Sequence, residues 1–160
     1  MPVILRQIEE KDNVPLAELI RSVFREFNID KPGTVYTDPT TDKLFELFQT
    51  ENSAYWVAEE NGVILGGCGI FPTEDLPTGC AELVKFYLAA GSRGEGIGKL
   101  LMQVSINTAK NMGYYELYLE SFPELQRAVG LYSSLGFNLL DEPMGNSGHH
   151  ACSIWMLKEL

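Results

Sequence analysis

A glycine-rich loop between a strand-like run and a long helix-like segment most limits the folds available to this chain. The loop reads Arg93-Gly94-Glu95-Gly96-Ile97-Gly98; it follows residues 81–90 and precedes a helical stripe that ends near Met112. A helix start exposes backbone N–H groups without internal partners and the positive end of the helix dipole. Glycines let the backbone approach an anion closely, so the loop suits a phosphate or pyrophosphate. A tight turn with no ligand would need the same glycines.

Three phosphate-binding patterns can be compared with this loop. A Walker P-loop requires a hydroxyl residue after its lysine, whereas Leu100 follows Lys99 here. The dinucleotide fingerprint G-x-G-x-x-G fails because the three glycines alternate with other residues. The pattern [RQ]-x-x-G-x-[GA] after a strand fits every position from Arg93 to Gly98.

The remaining segments read as one domain, residues 1–160, since a chain of this length forms about one domain. A strand at 3–8 precedes a helix that starts at Asp12 or Asn13, and a short second helix follows at 44–48. Two strand-like runs, 53–60 and 63–71, flank Asn61-Gly62, a strong hairpin signal. A strand at 115–120 precedes a helix that a Ser121-x-x-Glu124 capping box would open and Gly136 would end, before final strands near 137–140 and 151–157. This order predicts an α/β or α+β sheet with helices packed on it.

Charge and composition argue against several classes of protein. The net charge of −10 disfavours nucleic acid as a partner, but the segment from Lys85 to Lys110 is basic and suits an anionic ligand. No apolar run reaches the roughly 20 residues of a membrane span, and the N-terminus lacks a secretory leader, so we expect a cytoplasmic protein without a membrane partner. The widely spaced cysteines predict neither a disulfide framework nor a metal site, and they read as small core residues: Cys68, Cys80 and Cys152.

The sequence resembles the GNAT acetyltransferase superfamily in three places. Residues 81–88 resemble the fourth strand of that family, and residues 93–98 resemble its pyrophosphate loop in the correct register. The segment Leu131-Tyr132-Ser133-Ser134-Leu135-Gly136-Phe137 resembles its L-Y-x-x-x-G-F signature. The resemblance implies a mixed, mostly antiparallel sheet of six to seven strands with about four helices. It also implies a V-shaped splay between the fourth and fifth strands.

The resemblance further implies that acetyl-CoA, the co-substrate, binds in this V. The backbone of Leu88 would pair with the pantetheine arm, and an N–H near Phe86 or Tyr87 would polarise the thioester carbonyl. The acetyl group would pass directly to a primary amine in a ternary complex. The backbone amides that would hold the pyrophosphate are those of Arg93, Gly94, Glu95, Gly96, Ile97, Gly98 and Lys99.

Two side chains are candidates for proton transfer. An alkyl amine with a pKa of about 10.4 is almost fully protonated at pH 7, so a base must remove its proton. Glu82 matches the position of the family's general base, acting directly or through water, although a surface glutamate or a substrate anchor would look the same. Tyr132 matches the general acid that protonates the leaving thiolate. Its place on the apolar face of a helix also fits an ordinary core tyrosine.

The acceptor side is less defined. Glu120 and Ser121 close the predicted fifth strand, which the resemblance places beside the cofactor cleft, although the capping box alone accounts for Ser121. His149 and His150 lie in a polar loop, which is either mobile or in contact with substrate. The acidic residues between 28 and 52 suit a cationic small amine or peptide amine, and general solubility explains them as well. A homodimer is left open, and the rival hypothesis is a non-catalytic acyl-CoA-binding or interaction module.

Overall fold

A computed structural model describes residues 2–160 and contains one seven-stranded sheet with helices on both faces. The strands are β1 (Ile4–Gln7), β2 (Ala54–Glu60), β3 (Val63–Phe71), β4 (Cys80–Leu88), β5 (Glu116–Ser121), β6 (Asn138–Leu139) and β7 (Ile154–Glu159). The helices are α1 (Asn13–Glu26), α2 (Leu44–Leu47), α3 (Ile97–Asn111) and α4 (Gln126–Ser134). Short 3-10 turns lie at Glu10–Asp12, Val35–Thr37, Pro39–Asp42 and Ala90–Ser92.

The sheet is mixed and mostly antiparallel, as predicted. Its strand order is β1-β2-β3-β4-β5-β7-β6, and every neighbouring pair is antiparallel except β4 and β5. The predicted hairpin is confirmed: β2 and β3 are joined by Asn61 and Gly62, whose φ angles of 52° and 79° are those of a type I′ turn. The number of strands and helices agrees with the predicted fold class.

Each face of the sheet carries its own apolar core. One core packs α1 and α2 on the sheet, because the stripe of α1 turns Leu16, Ile20 and Phe24 inward to 1% exposure or less. The other core packs α3 and α4 on the opposite face, and Leu101 and Tyr132 belong to it. Within residues 2–160, no helix combines the length and the hydrophobicity that crossing a membrane requires.

The predicted capping box is wrong. Helix α4 begins at Gln126 after Leu125, and no side chain caps it. Ser121 instead ends β5, because its pairing with Ile154 of β7 extends the strand to that point. The predicted end of α4 is confirmed: Gly136 has a φ of 97°, and backbone N–H groups of residues 136 and 137 donate to carbonyls in the last turn of the helix. The last strand also begins later than predicted, at Ile154 rather than near 151.

The predicted splay between β4 and β5 is present. The two strands pair only from Cys80, opposite Glu116, to Glu82, opposite Tyr118. Among the described residues, the rest of β4, which runs to Leu88, has no partner on this side. A bulge in the pairing with β3 turns β4 away just after this point. The sheet therefore opens into a cleft in its middle.

Candidate active site

A large cavity occupies the open side of the cleft. Its volume is about 550 Å³, and it lies among the end of β4, the glycine loop and the starts of α3 and α4. Of the residues predicted to bind cofactor, those that line it are Phe86, Tyr87, Leu88, Arg93, Gly94, Gly96, Gly98 and Lys99. Glu95 is exposed outside it, and the side chain of Ile97 is buried in the core, so only their backbone groups remain available to a ligand.

The glycine loop forms a concave backbone surface at the rim of this cavity. Gly94 and Gly96 have φ angles of 83° and 82°, in the left-handed region that favours glycine. Gly96 directly precedes α3, and no side chain caps that helix. A Cβ atom placed on Gly96 would meet no atom within 4 Å. Gly96, Gly98 and Lys99 line the cavity, so the first turn of α3, whose N–H groups lack intrahelical partners, lies at a place where an anion can bind.

Arg93 joins the loop to its neighbours instead of reaching into the cavity as a free charge. Its guanidinium forms two hydrogen bonds with the carboxylate of Glu26 on α1, at 2.6 and 2.9 Å, and donates to the Leu88 carbonyl at 3.0 Å. The Arg93 hydrogen bond lowers the pKa of Glu26. Sequence reasoning missed a second arginine, Arg127 in the first turn of α4, which lines the cavity near Gly94.

A smaller cavity of about 40 Å³ lies deeper in the cleft. It shares Phe86, Tyr87 and Leu125 with the large cavity, so the two spaces adjoin. The predicted site residues that line it are Glu82, Phe86, Tyr87, Glu120, Ser121, Tyr132 and His149. His150 is exposed and lines neither cavity, so the structure does not bring it to the site.

Glu82 is a buried carboxyl group on the wall of the inner cavity. Only 4% of the residue is exposed, and the Thr73 hydroxyl donates to its Oε1 at 2.6 Å. Burial raises the pKa of Glu82 to about 7, and the nearby charge of Glu120 contributes in the same direction. A carboxyl group with this pKa exchanges its proton near neutral pH, which is the property of a general base.

Tyr132 has features of both a core residue and a proton donor. Its ring packs against Phe86 and Phe137, each at a centroid distance of 5.9 Å, and the residue is 6% exposed. It also lines the inner cavity with Glu82. Burial raises the pKa of the Tyr132 hydroxyl above its ordinary value, so the group stays protonated at neutral pH.

Hydrogen bonds hold His149 in place, which argues against a freely mobile loop. Its Nε2 lies 2.9 Å from Oδ2 of Asp38, and Asp38 also accepts hydrogen bonds from the backbone and hydroxyl of Thr40. The hydrogen bond from His149 lowers the pKa of Asp38 well below its usual range. In the same loop, the Ser147 hydroxyl donates to Glu120 at 2.5 Å. These contacts fix the loop against the inner cavity, which His149 lines.

Lys85 is a second residue that lines a cavity and that sequence reasoning did not assign to the site. It lies at the bulge of β4, has a φ of 53° and lines the inner cavity. Burial lowers its pKa, and the charges of Asp38 and Glu82 oppose that change. A lysine inside an apolar strand was the only sign in the sequence that this position is unusual, and the bulge is what directs the side chain into the cavity.

No cluster of three or more metal-binding side chains exists within residues 2–160.

Comparison with known proteins agrees with this geometry. Residues 19–137 match the Acetyltransferase (GNAT) family. The chain belongs to this family. This GNAT protein is 36% identical over 159 residues to the protein named Uncharacterized N-acetyltransferase YjgM of Escherichia coli (strain K12); the match covers 98% of this chain and 95% of that one. We therefore describe the protein as an N-acetyltransferase, and the hypothesis of a non-catalytic module is set aside.

Two solved structures are similar to this GNAT chain in fold. The acetyltransferase of GNAT family from Staphylococcus aureus Mu50 has a TM-score of 0.87 at 22% identity and covers 99% of both chains. The yncA protein from Salmonella typhimurium, solved with its cofactor acetyl-CoA, has a TM-score of 0.75 at 18% identity; the match covers 100% of this chain and 95% of that one. At these identities the likeness shows the fold.

Proposed function

We propose that this N-acetyltransferase binds acetyl-CoA in the large cavity and acetylates a primary amine that enters the inner cavity, by direct transfer in a ternary complex. The observation that carries this proposal is the junction of the two cavities at Phe86, Tyr87 and Leu125. Two ligands can then meet without a covalent enzyme intermediate, since each has its own space.

The residues of the large cavity fit acetyl-CoA. The open concavity at Gly96 suits the pyrophosphate, and Lys99 and Arg127 add positive charge beside it. Beyond Glu82, the free edge of β4 offers backbone groups for the pantetheine arm and for the thioester oxygen near Phe86 or Tyr87. When bound, acetyl-CoA supplies the acetyl group and a thiolate leaving group.

The residues of the inner cavity fit the two proton transfers. Glu82 would accept the proton that the ammonium group of the acceptor must lose before its nitrogen can attack. The Tyr132 hydroxyl would donate the proton that the leaving sulfur takes up, and solvent would restore it. The support for both roles is that the two groups line one cavity, where burial raises the pKa of Glu82 to about 7 and keeps the Tyr132 hydroxyl protonated at neutral pH.

We also propose that residues 1–160 work as a single domain in the cytoplasm. The single sheet incorporates residues from Ile4 to Glu159, which supports one folding unit. The three cysteines are free thiols, which is typical of a reducing compartment.

The test is a thiol-release assay with acetyl-CoA and a panel of primary amines. We expect CoA thiol to appear only when a suitable amine is present, in equal amount to the acetylated amine found by mass spectrometry. Release of thiol without acetylated amine would show hydrolysis instead. Binding of acetyl-CoA with no release over the whole panel would contradict the proposed reaction.

A further inference from the structure

Lys85 is a mostly buried lysine whose side-chain nitrogen has no hydrogen-bonding partner among the described residues that line the inner cavity. The residue is 8% exposed, and it lines the same small space as Glu82 and Tyr132. Within residues 2–160, its ammonium group forms neither a hydrogen bond nor an ion pair with any side chain. Burying a charge is unfavourable unless another group pairs with it. A ligand anion would provide that pairing.

The fold turns Lys85 toward the acceptor side by an irregularity in β4. Before the bulge, the odd-numbered residues Ala81 and Leu83 face the core under α3. After the bulge, the even-numbered residues Phe86 and Leu88 face that core instead. In a regular strand Lys85 would share the face of Leu83. The left-handed conformation that prevents this is unfavourable for a lysine. A hydrogen bond of 2.8 Å from the buried Tyr55 hydroxyl to the Lys85 carbonyl holds the bulged backbone.

The charges around the inner cavity form a pattern of both signs. Glu82 and Glu120 bring carboxyl groups to it, and Lys85 brings an ammonium group that pairs with neither. The other basic side chain of the cavity, His149, is already bonded to Asp38. A ligand that complements this arrangement carries an ammonium group and an anion close together, because the cavity is only about 40 Å³ in volume.

We propose that Lys85 binds the carboxylate of the acceptor, and that the acceptors are therefore α-amino acids. The amine would lie toward Glu82 and the carboxylate toward Lys85, while the amino acid side chain extends out of the small cavity. This proposal rests on the proposed acetyl transfer. It goes further because it names the acceptor class and assigns a specificity residue.

The experiment compares matched acceptors. For each of the nineteen standard α-amino acids with a primary amine, kcat/KM is measured beside that of its decarboxylated amine and of its α-amide, which resembles a peptide amine. We expect at least one amino acid to exceed its decarboxylated partner by tenfold or more. Wild-type preference for the decarboxylated amines or the amides across the set would overturn the carboxylate site, while acetyl transfer itself would stand. Absence of turnover with all three sets would overturn both proposals.

Variants then test the residue. Lys85→Met keeps most of the side-chain volume and should reduce the amino acid preference at least tenfold, whereas Lys85→Arg should retain part of it. Lys110→Met removes an exposed lysine of α3 far along the chain from the cavity and should keep the wild-type ratio. Thermal stabilisation by CoA shows that each variant is folded. An unchanged preference in folded Lys85→Met would overturn the assignment; should that variant not fold, Lys85→Gln provides the same test.

Discussion

The two adjoining cavities are built in different ways. The surface of the large cavity that suits an anion is formed by one continuous segment, residues 93–99, and mainly by its backbone. The inner cavity is assembled from side chains far apart in sequence, such as Glu82, Glu120, Tyr132 and His149. A backbone site tolerates varied side chains, but a side-chain site depends on each residue. The variants below each change one cavity and should leave the other intact.

The largest effect should follow from Tyr132→Phe, which removes only a hydroxyl group. If that hydroxyl protonates the leaving thiolate, we expect kcat to fall by about 100-fold or more with little change in the Kd of CoA. Steady-state kinetics and calorimetry measure the two quantities. Tyr114→Phe, which removes a hydroxyl bonded to the Asn52 carbonyl away from the site, is the matched control and should keep kcat. If Tyr132→Phe has the wild-type kcat, Tyr132 is a core residue and not a proton donor.

Glu82→Gln should act through the same cavity with a different pH dependence. Since the pKa of Glu82 is raised to about 7, the wild-type kcat/KM should rise with pH through about 7 as the carboxylate forms. The variant should lose that limb and fall by about 10- to 100-fold at pH 7, with a smaller loss at high pH, where more amine is neutral. A pH–rate profile measures this.

The exposed Glu74, changed to Gln, is the control for Glu82→Gln and should preserve the profile. A Glu82→Gln enzyme with the wild-type pH limb but a raised KM for the amine would indicate a substrate anchor instead of a base.

Gly96→Asp should instead damage the large cavity. The new carboxylate would repel the pyrophosphate, and we expect the Kd of CoA to rise by about tenfold or more. The positive φ of 82° strains the backbone of any residue other than glycine, so the variant should be less stable, but no atom lies within 4 Å of the new Cβ and the fold should survive. Gly91→Asp adds the same charge where no positive φ is needed and no cavity is lined, so its CoA affinity should match wild type. If wild type, Gly96→Asp and Gly91→Asp bind CoA with equal affinity, the loop does not bind the pyrophosphate.

The smallest effect should come from Asp38→Asn, which weakens the contact that holds His149. We expect the KM for the amine to rise by about threefold to tenfold, with kcat and CoA affinity little changed, because a neutral hydrogen bond is weaker than a charged one. Asp42→Asn changes an exposed carboxylate in the same segment, paired with Arg21, and serves as control. If both variants behave alike, the Asp38–His149 contact does not shape the acceptor side.

Several features could be predicted from sequence because local chemistry decides them. The Asn61-Gly62 turn, the apolar stripe of α1 and the end of α4 at Gly136 each depend on residues within a few positions of one another. The capping box failed for the opposite reason: pairing with β7, which lies more than 30 residues along the chain, kept Ser121 in a strand.

The sequence alone determined the succession of strands and helices, the glycine loop and the resemblance that suggested acetyl transfer, since each is written in neighbouring residues. Tertiary structure decided which side chains share the inner cavity. Lys85 shows the difference: alternation along β4 would place it on the α3 face, and only the bulge against β3, held by the Tyr55 hydroxyl, turns it toward Glu82. Such a change depends on a bulge in the pairing of β4 with another strand, and not only on the residues next to Lys85.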